Sequence, residues 1–430
     1  MKQKLALAFW GLLLALSACN KSNSIGNTDP GNGLEPYSNQ IILDWNLAAF
    51  ETMGGTSGTY LHTHLASRIN AMTHIAMHDA LNAIAPRYQT YAFHQKNRQA
   101  DPVAAAATAA YEVLANQIPA QKPMLDSCLA ASLTKVPEGS AKTQGIEIGK
   151  KAAAAIIALR QNDGAFQDPI SVPVGTGQPG EYQLVPPFDF IFAPFWTTMQ
   201  TFSLQKPEQF RVPPHPTLNS QAYAQDFHEV KRMGQKDSPH RSAEQTVIAK
   251  YWYEFSEIGW NRVTRTAAAD KKLGLLATAR LFALVNMALA DAYTAGWDSK
   301  FHYNLWRPYT AIRSADFDGN DDTVADYGWE PSEPTPPVQD YPSTHSALGN
   351  AAATVLTAIV GNNVPFTMTS TTAPTPGLTR SFSNFFEAAN ENAESRVLAG
   401  LHFRFACQKG QALGNQIGQW TLEQHLKPID

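Results

Sequence analysis

The sequence predicts an all-α protein: a large helical bundle interrupted by long Pro/Gly-rich loops. Three observations lead there. Apolar residues recur at helical spacing in one segment after another. No alternating run is long enough to argue for a sheet, and no solenoid-type repeat recurs. Hydrophobic residues make up 44% of the 430-residue chain, which is ample for a large core.

Taken in order, Leu65, Ile69, Met72, Ile75, Ala76, Leu81 and Ile84 fall near one broad face, so residues 61–84 read as a helix. Residues 101–118 are alanine-rich, and Asp101-Pro102 supplies an N-cap and a proline at the first helical position. Further helices are expected at about 140–161, 216–234, 241–256, 264–297, 344–360, 380–399 and 408–425. Two stretches break the pattern. Residues 163–215 are rich in proline (Pro169, Pro173, Pro179, Pro186, Pro187, Pro194, Pro213, Pro214), glycine and aromatics, and residues 314–342 combine Asp, Gly and Pro. Long irregular loops in a compact protein are more often functional than idle.

The N-terminus speaks to compartment. Lys2 and Lys4 precede an apolar run from Leu5 to Ala18, the n-region and h-region of a secretory signal and too short for a lasting span. Leu16-Ser17-Ala18-Cys19 looks like a bacterial lipobox, which implies cleavage before Cys19 and lipidation there. Asn20 in place of Asp favours an outer-membrane or periplasmic-face destination. The expected organisation is a signal peptide over 1–18, a flexible tether over 19–40 rich in Asn, Ser, Gly and Pro, and one helical catalytic domain over 41–430. The net charge of -4 gives no sign of a nucleic-acid surface. With Cys19 lipidated, Cys128 and Cys407 remain, either paired or as two free thiols.

Three clusters in the last third carry the chemistry. Lys300 and Arg307 lie seven apart, which on a continuous helix returns to nearly the same face; Pro308 disfavours helical geometry at Arg307, so that helix should end there. Tyr341-Pro342-Ser343-Thr344-His345 leads into an apolar helix whose free N–H groups and positive dipole end form an anion site, although Ser343 or Thr344 can equally be a plain N-cap. Arg396 and His402 are six apart and converge only if the chain bends, for which Gly400 offers a place.

In that order, Lys-x6-Arg-Pro, Pro-Ser-x-His and Ser-Arg-x5-His resemble the signature shared by vanadium-dependent haloperoxidases and phosphatidic acid phosphatases. Trp297, the stretch from Trp306 to Arg313, the Thr335-Pro-Pro lead-in and the His74–Asn82 segment also resemble bacterial haloperoxidases. The resemblance extends from about residue 60. It implies a helical-bundle fold and a histidine-bound vanadate at which hydrogen peroxide oxidises halide, with an organic acceptor as a further partner. Carried over, His402 binds vanadium, Lys300, Arg307 and Arg396 neutralise its oxygens, Ser343 and the Thr344 N–H donate hydrogen bonds, and His345 is the acid–base residue. Trp297 and Val338 line the pocket.

Two positions depart from the pattern. Thr344 stands where relatives usually have glycine, adding a β-branched side chain. Ala406 stands four residues after His402, where many relatives place an Asp that orients the histidine. A nucleophilic histidine needs such a partner more than a metal ligand does, so this tilts the reading from phosphatase towards vanadate. The rivals are a phosphatase working through a phosphohistidine, which needs no cofactor, and a degenerate lipoprotein that binds an oxyanion without turnover.

Other candidates are weaker. His74 and His78 share a helix face at metal-ligand spacing but lack the Glu of a zinc-protease motif. Asp316–Asp322 resembles a calcium loop, yet Asp321 and Tyr327 occupy the positions where an EF-hand needs Gly and Glu; an irregular calcium site and a solvated acidic turn both remain open.

Overall fold

The computed structural model describes residues 34–54, 61–172 and 175–429; the predicted signal peptide and lipobox lie outside them. Leu34, in the stretch expected as tether, is already buried in the core. Thirteen α-helices follow among the described residues: α1 Gln40–Gly54, α2 Thr63–Ile84, α3 Pro102–Gln117, α4 Lys122–Leu133, α5 Ser140–Leu159, α6 Gln221–Met233, α7 Ala243–Tyr251, α8 Ser256–Asp270, α9 Leu275–Tyr303, α10 Pro308–Arg313, α11 Thr344–Val360, α12 Phe385–Leu398 and α13 Arg404–Gln424. Two small antiparallel pairs accompany them, β1 (Ile170–Ser171) with β2 (Ile191–Phe192) and β3 (Phe366–Thr369) with β4 (Thr379–Phe382).

Several boundaries differ from the sequence expectation. The expected helix over 241–256 stops at Tyr251, and α8 starts a new one at Ser256. The range 264–297 is cut by Lys272 in the left-handed region and by Gly274 at the N-cap of α9. Helices α1, α4 and α10 were not anticipated.

Helix α9 explains the architecture. It is long and apolar enough to cross a membrane by length and composition, but its apolar window is 94% buried inside the protein. A helix that is apolar all round has to be covered all round. Here α2 covers one side, itself packed on α3 and α5, and α11 and α13 cover the other. One hydrophobic core runs through both groups. Close approach of α11 and α13 rests on Gly410, Gly414 and Gly418: a Cβ at Gly410 would lie 2.2 Å from the Ser343 carbonyl oxygen, and one at Gly414 2.1 Å from that of Ala347. The start of α11 is thereby pressed into the bundle, beside the end of α9.

Candidate functional site

Lys300 sits in the last turn of α9, which ends at Asn304, a left-handed residue whose N–H caps the Lys300 carbonyl at 2.9 Å. The expected shared helix face for Lys300 and Arg307 is therefore absent. Arg307 instead is the N-cap residue of α10, and Pro308 begins that helix rather than only ending the previous one, since a proline is pre-set for the first helical position. Both cations still converge, because one segment holds them. Lys300 Nζ donates to the carbonyls of Gln339 (2.7 Å) and Asp340 (2.9 Å), and Arg307 Nε donates to that of Val338 (2.6 Å).

Arg396, on α12, donates from Nη1 to the Trp252 carbonyl at 3.2 Å, while its buried Nε has no partner. Gly400, at φ +78°, turns the chain back as anticipated, bringing His402 to Arg307, whose Nη1 lies 3.0 Å from His402 Nε2. An arginine only donates, so Nε2 is the acceptor and the ring proton sits on Nδ1.

Ser343 caps α11, accepting from the Ser346 N–H (3.4 Å) and hydroxyl (3.0 Å). His345 Nε2 lies 3.1 Å from the Glu254 carbonyl, so Nε2 carries the proton and the Nδ1 lone pair is free. Burial, then the Arg396 charge, holds its pKa well below the ordinary imidazole value. Thr344 opens α11 with ordinary helical geometry, and its methyl lies where a Cβ on Gly296 of α9 would be, 2.5 Å away. The extra bulk of threonine is taken up by a glycine on the facing helix.

The residue that sequence reasoning missed is Asp340. Its Oδ1 lies 2.8 Å from His402 Nδ1 and 4.0 Å from Arg307 Nη1. The Nδ1 contact is short but off the line of an ideal hydrogen bond, and neither carboxylate oxygen has an aligned side-chain partner. The position four residues after His402 is Ala406, and no spacing rule points from His402 back to residue 340. With a carboxylate at His402 after all, the argument against a histidine nucleophile no longer holds.

Charge decides what this arrangement can bind. Lys300, Arg307 and Arg396 are each no more than 1% exposed, and Asp340 is fully buried. Burial drives the Lys300 ammonium well below its usual range and Arg396 down to about 10. It pushes Asp340 up to about 7 against the opposing pull of Arg307 and Lys300. Even where burial leaves Lys300 neutral, the Arg307 and Arg396 guanidiniums facing one carboxylate leave an uncompensated positive excess where charge is costly, and a bound anion would restore the Lys300 charge. An oxyanion spreading its charge over several oxygens satisfies it, and the orphaned Arg396 Nε offers a further donor. The residues fit a bound vanadate or phosphate.

Residues 280–430 match the family described as the VCPO second helical-bundle domain. That span contains each of these residues from Lys300 to His402. The vanadium chloroperoxidase of Curvularia inaequalis is 25% identical over 493 residues, covering 86% of this chain and 80% of that protein. The chain is thus similar, at low identity, to vanadium haloperoxidases. The fold agrees. The crystal structure of the first bacterial vanadium-dependent iodoperoxidase matches at a TM-score of 0.79 and 24% identity, over 91% of this chain and 98% of that one. A holo-type bacterial vanadium-dependent chloroperoxidase matches at 0.70 and 18%, over 89% and 96%.

Within this fold, Trp297 lies one helical turn before Lys300, its indole N–H donating to the Phe192 carbonyl at 3.2 Å, and Val338 is buried in the segment that holds Arg307. His74 and His78 are buried polar members of the core: Asn46 Nδ2 approaches His74 Nε2 at 2.8 Å, and Asp79 lies 3.1 Å from His78 Nδ1. In the acidic loop, Asp318 binds the Asn320 N–H and the Thr323 hydroxyl, while Asp316 binds the Tyr327 hydroxyl. Those carboxylates hold the turn, and among the described residues no three acidic, His or Cys side chains converge as a metal site. Cys128 and Cys407 are free thiols and do not pair.

Proposed function

We propose that this protein is a vanadate-dependent haloperoxidase that uses hydrogen peroxide to oxidise halide, with an organic molecule accepting the oxidised halogen. The supporting observation is the buried positive excess of Lys300, Arg307 and Arg396 around an unprotonated His402 Nε2. Bound vanadate supplies a Lewis acid that activates peroxide without changing its own oxidation state. His402 Nε2 would be the ligand; Lys300, Arg307 and Arg396 would neutralise the oxygens, with Ser343 Oγ and the Thr344 N–H as added donors. His345 has its Nε2–H fixed on the Glu254 carbonyl, so Nδ1 accepts the proton that peroxide must lose.

A phosphatase reading gains from one feature, the Asp340 carboxylate beside His402, which is what a nucleophilic histidine requires. The two are separated by assaying iodide and bromide oxidation, with and without orthovanadate, beside p-nitrophenyl phosphate hydrolysis, on protein stripped of anions. Vanadate-dependent halide oxidation is expected. Hydrolysis inhibited by vanadate would move the protein to the phosphatase side, and binding without either activity would make it a degenerate oxyanion binder. His402→Ala should lose vanadate binding. His345→Ala should keep it and lose about 10²–10⁴-fold in turnover. Unchanged vanadate affinity in His402→Ala would end the assignment.

Lipid anchoring at Cys19 belongs to the same proposal, supported by the lipobox-like Leu16–Cys19. Cys19→Ser should release the protein from the membrane fraction; retention there would refute anchoring at this residue.

A further inference from the structure

We propose that Asp340 is the positioning residue of the site: it fixes the proton of His402 on Nδ1 and so presents the Nε2 lone pair to the bound oxyanion. The inference rests on the assignment of His402 as the ligand in the proposed function. Three observations lead to it.

First, the two ring nitrogens of His402 face opposite chemistries. Arg307 Nη1, a donor only, stands 3.0 Å from Nε2, and a carboxylate oxygen, which when ionised can only accept, stands 2.8 Å from Nδ1. Only the Nδ1–H tautomer suits both neighbours. The reverse tautomer would set N–H against N–H on one side and lone pair against carboxylate on the other.

Second, Asp340 is anchored independently of His402. Its N–H donates to the Leu305 carbonyl at 3.0 Å, and its own carbonyl accepts from Lys300 Nζ at 2.9 Å. The segment from Val338 to Ser343 therefore reaches four groups at once: Arg307 through the Val338 carbonyl, Lys300 through the carbonyls of Gln339 and Asp340, His402 through the Asp340 carboxylate, and α11 through the Ser343 cap. The ring is oriented by the same backbone that spaces two of the cations.

Third, the alternative position is closed. Ala406, four residues after His402, is fully buried on α13 and has no side-chain acceptor; its carbonyl is used by the Ser343 N–H at 2.9 Å. The orienting partner thus comes from before α11 and not from α13.

Asp340 also contributes a negative charge to a cationic nest. Removing it should have opposite effects on two kinds of anion. An anion bonded to Nε2 loses the oriented lone pair, while one held only by charge gains from the missing repulsion. Vanadate is the first kind and sulfate the second.

The test compares wild type, Asp340→Asn and Asp340→Ala. Vanadate and sulfate dissociation constants are measured by titration calorimetry, and the His402 tautomer by nitrogen-15 NMR of the histidine-labelled protein without added anion. Asp340→Ala should weaken vanadate binding by about 10–100-fold, with sulfate binding unchanged or tighter. Asp340→Asn, which can still accept from Nδ1–H, should lose less. Wild type should show the Nδ1–H form and Asp340→Ala a shift away from it. Equal weakening of both anions would reduce Asp340 to a structural role and overturn the proposal, as would an Nε2–H form of His402 in wild type. Failure of wild type to bind vanadate, with the Nδ1–H form present and lost in Asp340→Ala, would remove the vanadate reading and leave the positioning role standing.

Discussion

At the scale of single residues, the departure at Thr344 is resolved by a partner on another helix. Its Cγ2 occupies the space that a side chain at position 296 would need, and position 296 is glycine. Gly296→Ala should therefore force the start of α11 away from α9 and cost about 1–3 kcal/mol, as overpacking does. Thr344→Ser, which lacks the methyl, should recover most of that loss in the double variant. A denaturant cycle on the four proteins measures the coupling, and additive losses would show that the two residues do not share this space. The pair also marks how far the sequence could be read. Lys300, Arg307, Ser343, His345, Arg396 and His402 were legible because their spacings survive as motif letters. Gly296 and Asp340 were not, because each acts through a contact across the fold with no fixed offset along the chain. Asp340 was hidden further by the expectation that a carboxylate would follow His402.

Among elements, α13 does as much for the site as the residues that line it. Gly410, Gly414 and Gly418 repeat every four residues along it. The structure places it against the first three turns of α11, with Gly410 against Ser343 itself. Backbone carbonyls cannot yield as a flexible side chain can, so Gly410→Ala should separate the helices and move the Ser343 cap. The expected result is a loss of about 1–3 kcal/mol in stability together with weakened oxyanion binding. The exposed neighbour Gln408→Ala should change neither. Normal oxyanion affinity in a destabilised Gly410→Ala protein would show that α11 can move without disturbing the site. The same scale explains the misjudged helix shared by Lys300 and Arg307. Periodicity sees a seven-residue return to one face but not a left-handed asparagine, and Asn304 is the residue that ends α9 between them.

Over the whole molecule, the all-round apolar surface of α9 is covered by two groups of helices, and that burial takes polar groups inside with it. His74, on α2 and stacked on Phe282 of α9, is fully buried. Burial, with the Arg265 charge adding to it, lowers its pKa to about 3. Between that value and the unfolded value near 6.5 the unfolded chain binds the proton and the folded chain does not. Stability therefore falls as pH drops through this window, by up to about 1.4 kcal/mol per pH unit for one histidine. Asp291 works the other way. Burial raises its carboxyl to about 6, even though the carboxylate accepts from the N–H groups of Phe202, Ser203 and Leu204. Between the unfolded value near 3.8 and about 6 the folded chain holds the extra proton, so this contribution grows as pH falls. The two partly cancel from about pH 6 downward, and His74 acts alone between about 6 and 6.5. His74→Gln keeps an acceptor for Asn46 but cannot titrate, so subtracting its denaturation free energies from those of wild type isolates the histidine. The difference should be flat above about pH 6.5 and fall steadily below it. A difference independent of pH down to 4 would mean that His74 is solvated or charged in the folded protein, and that α2 and α9 are less tightly closed around it than the structure shows.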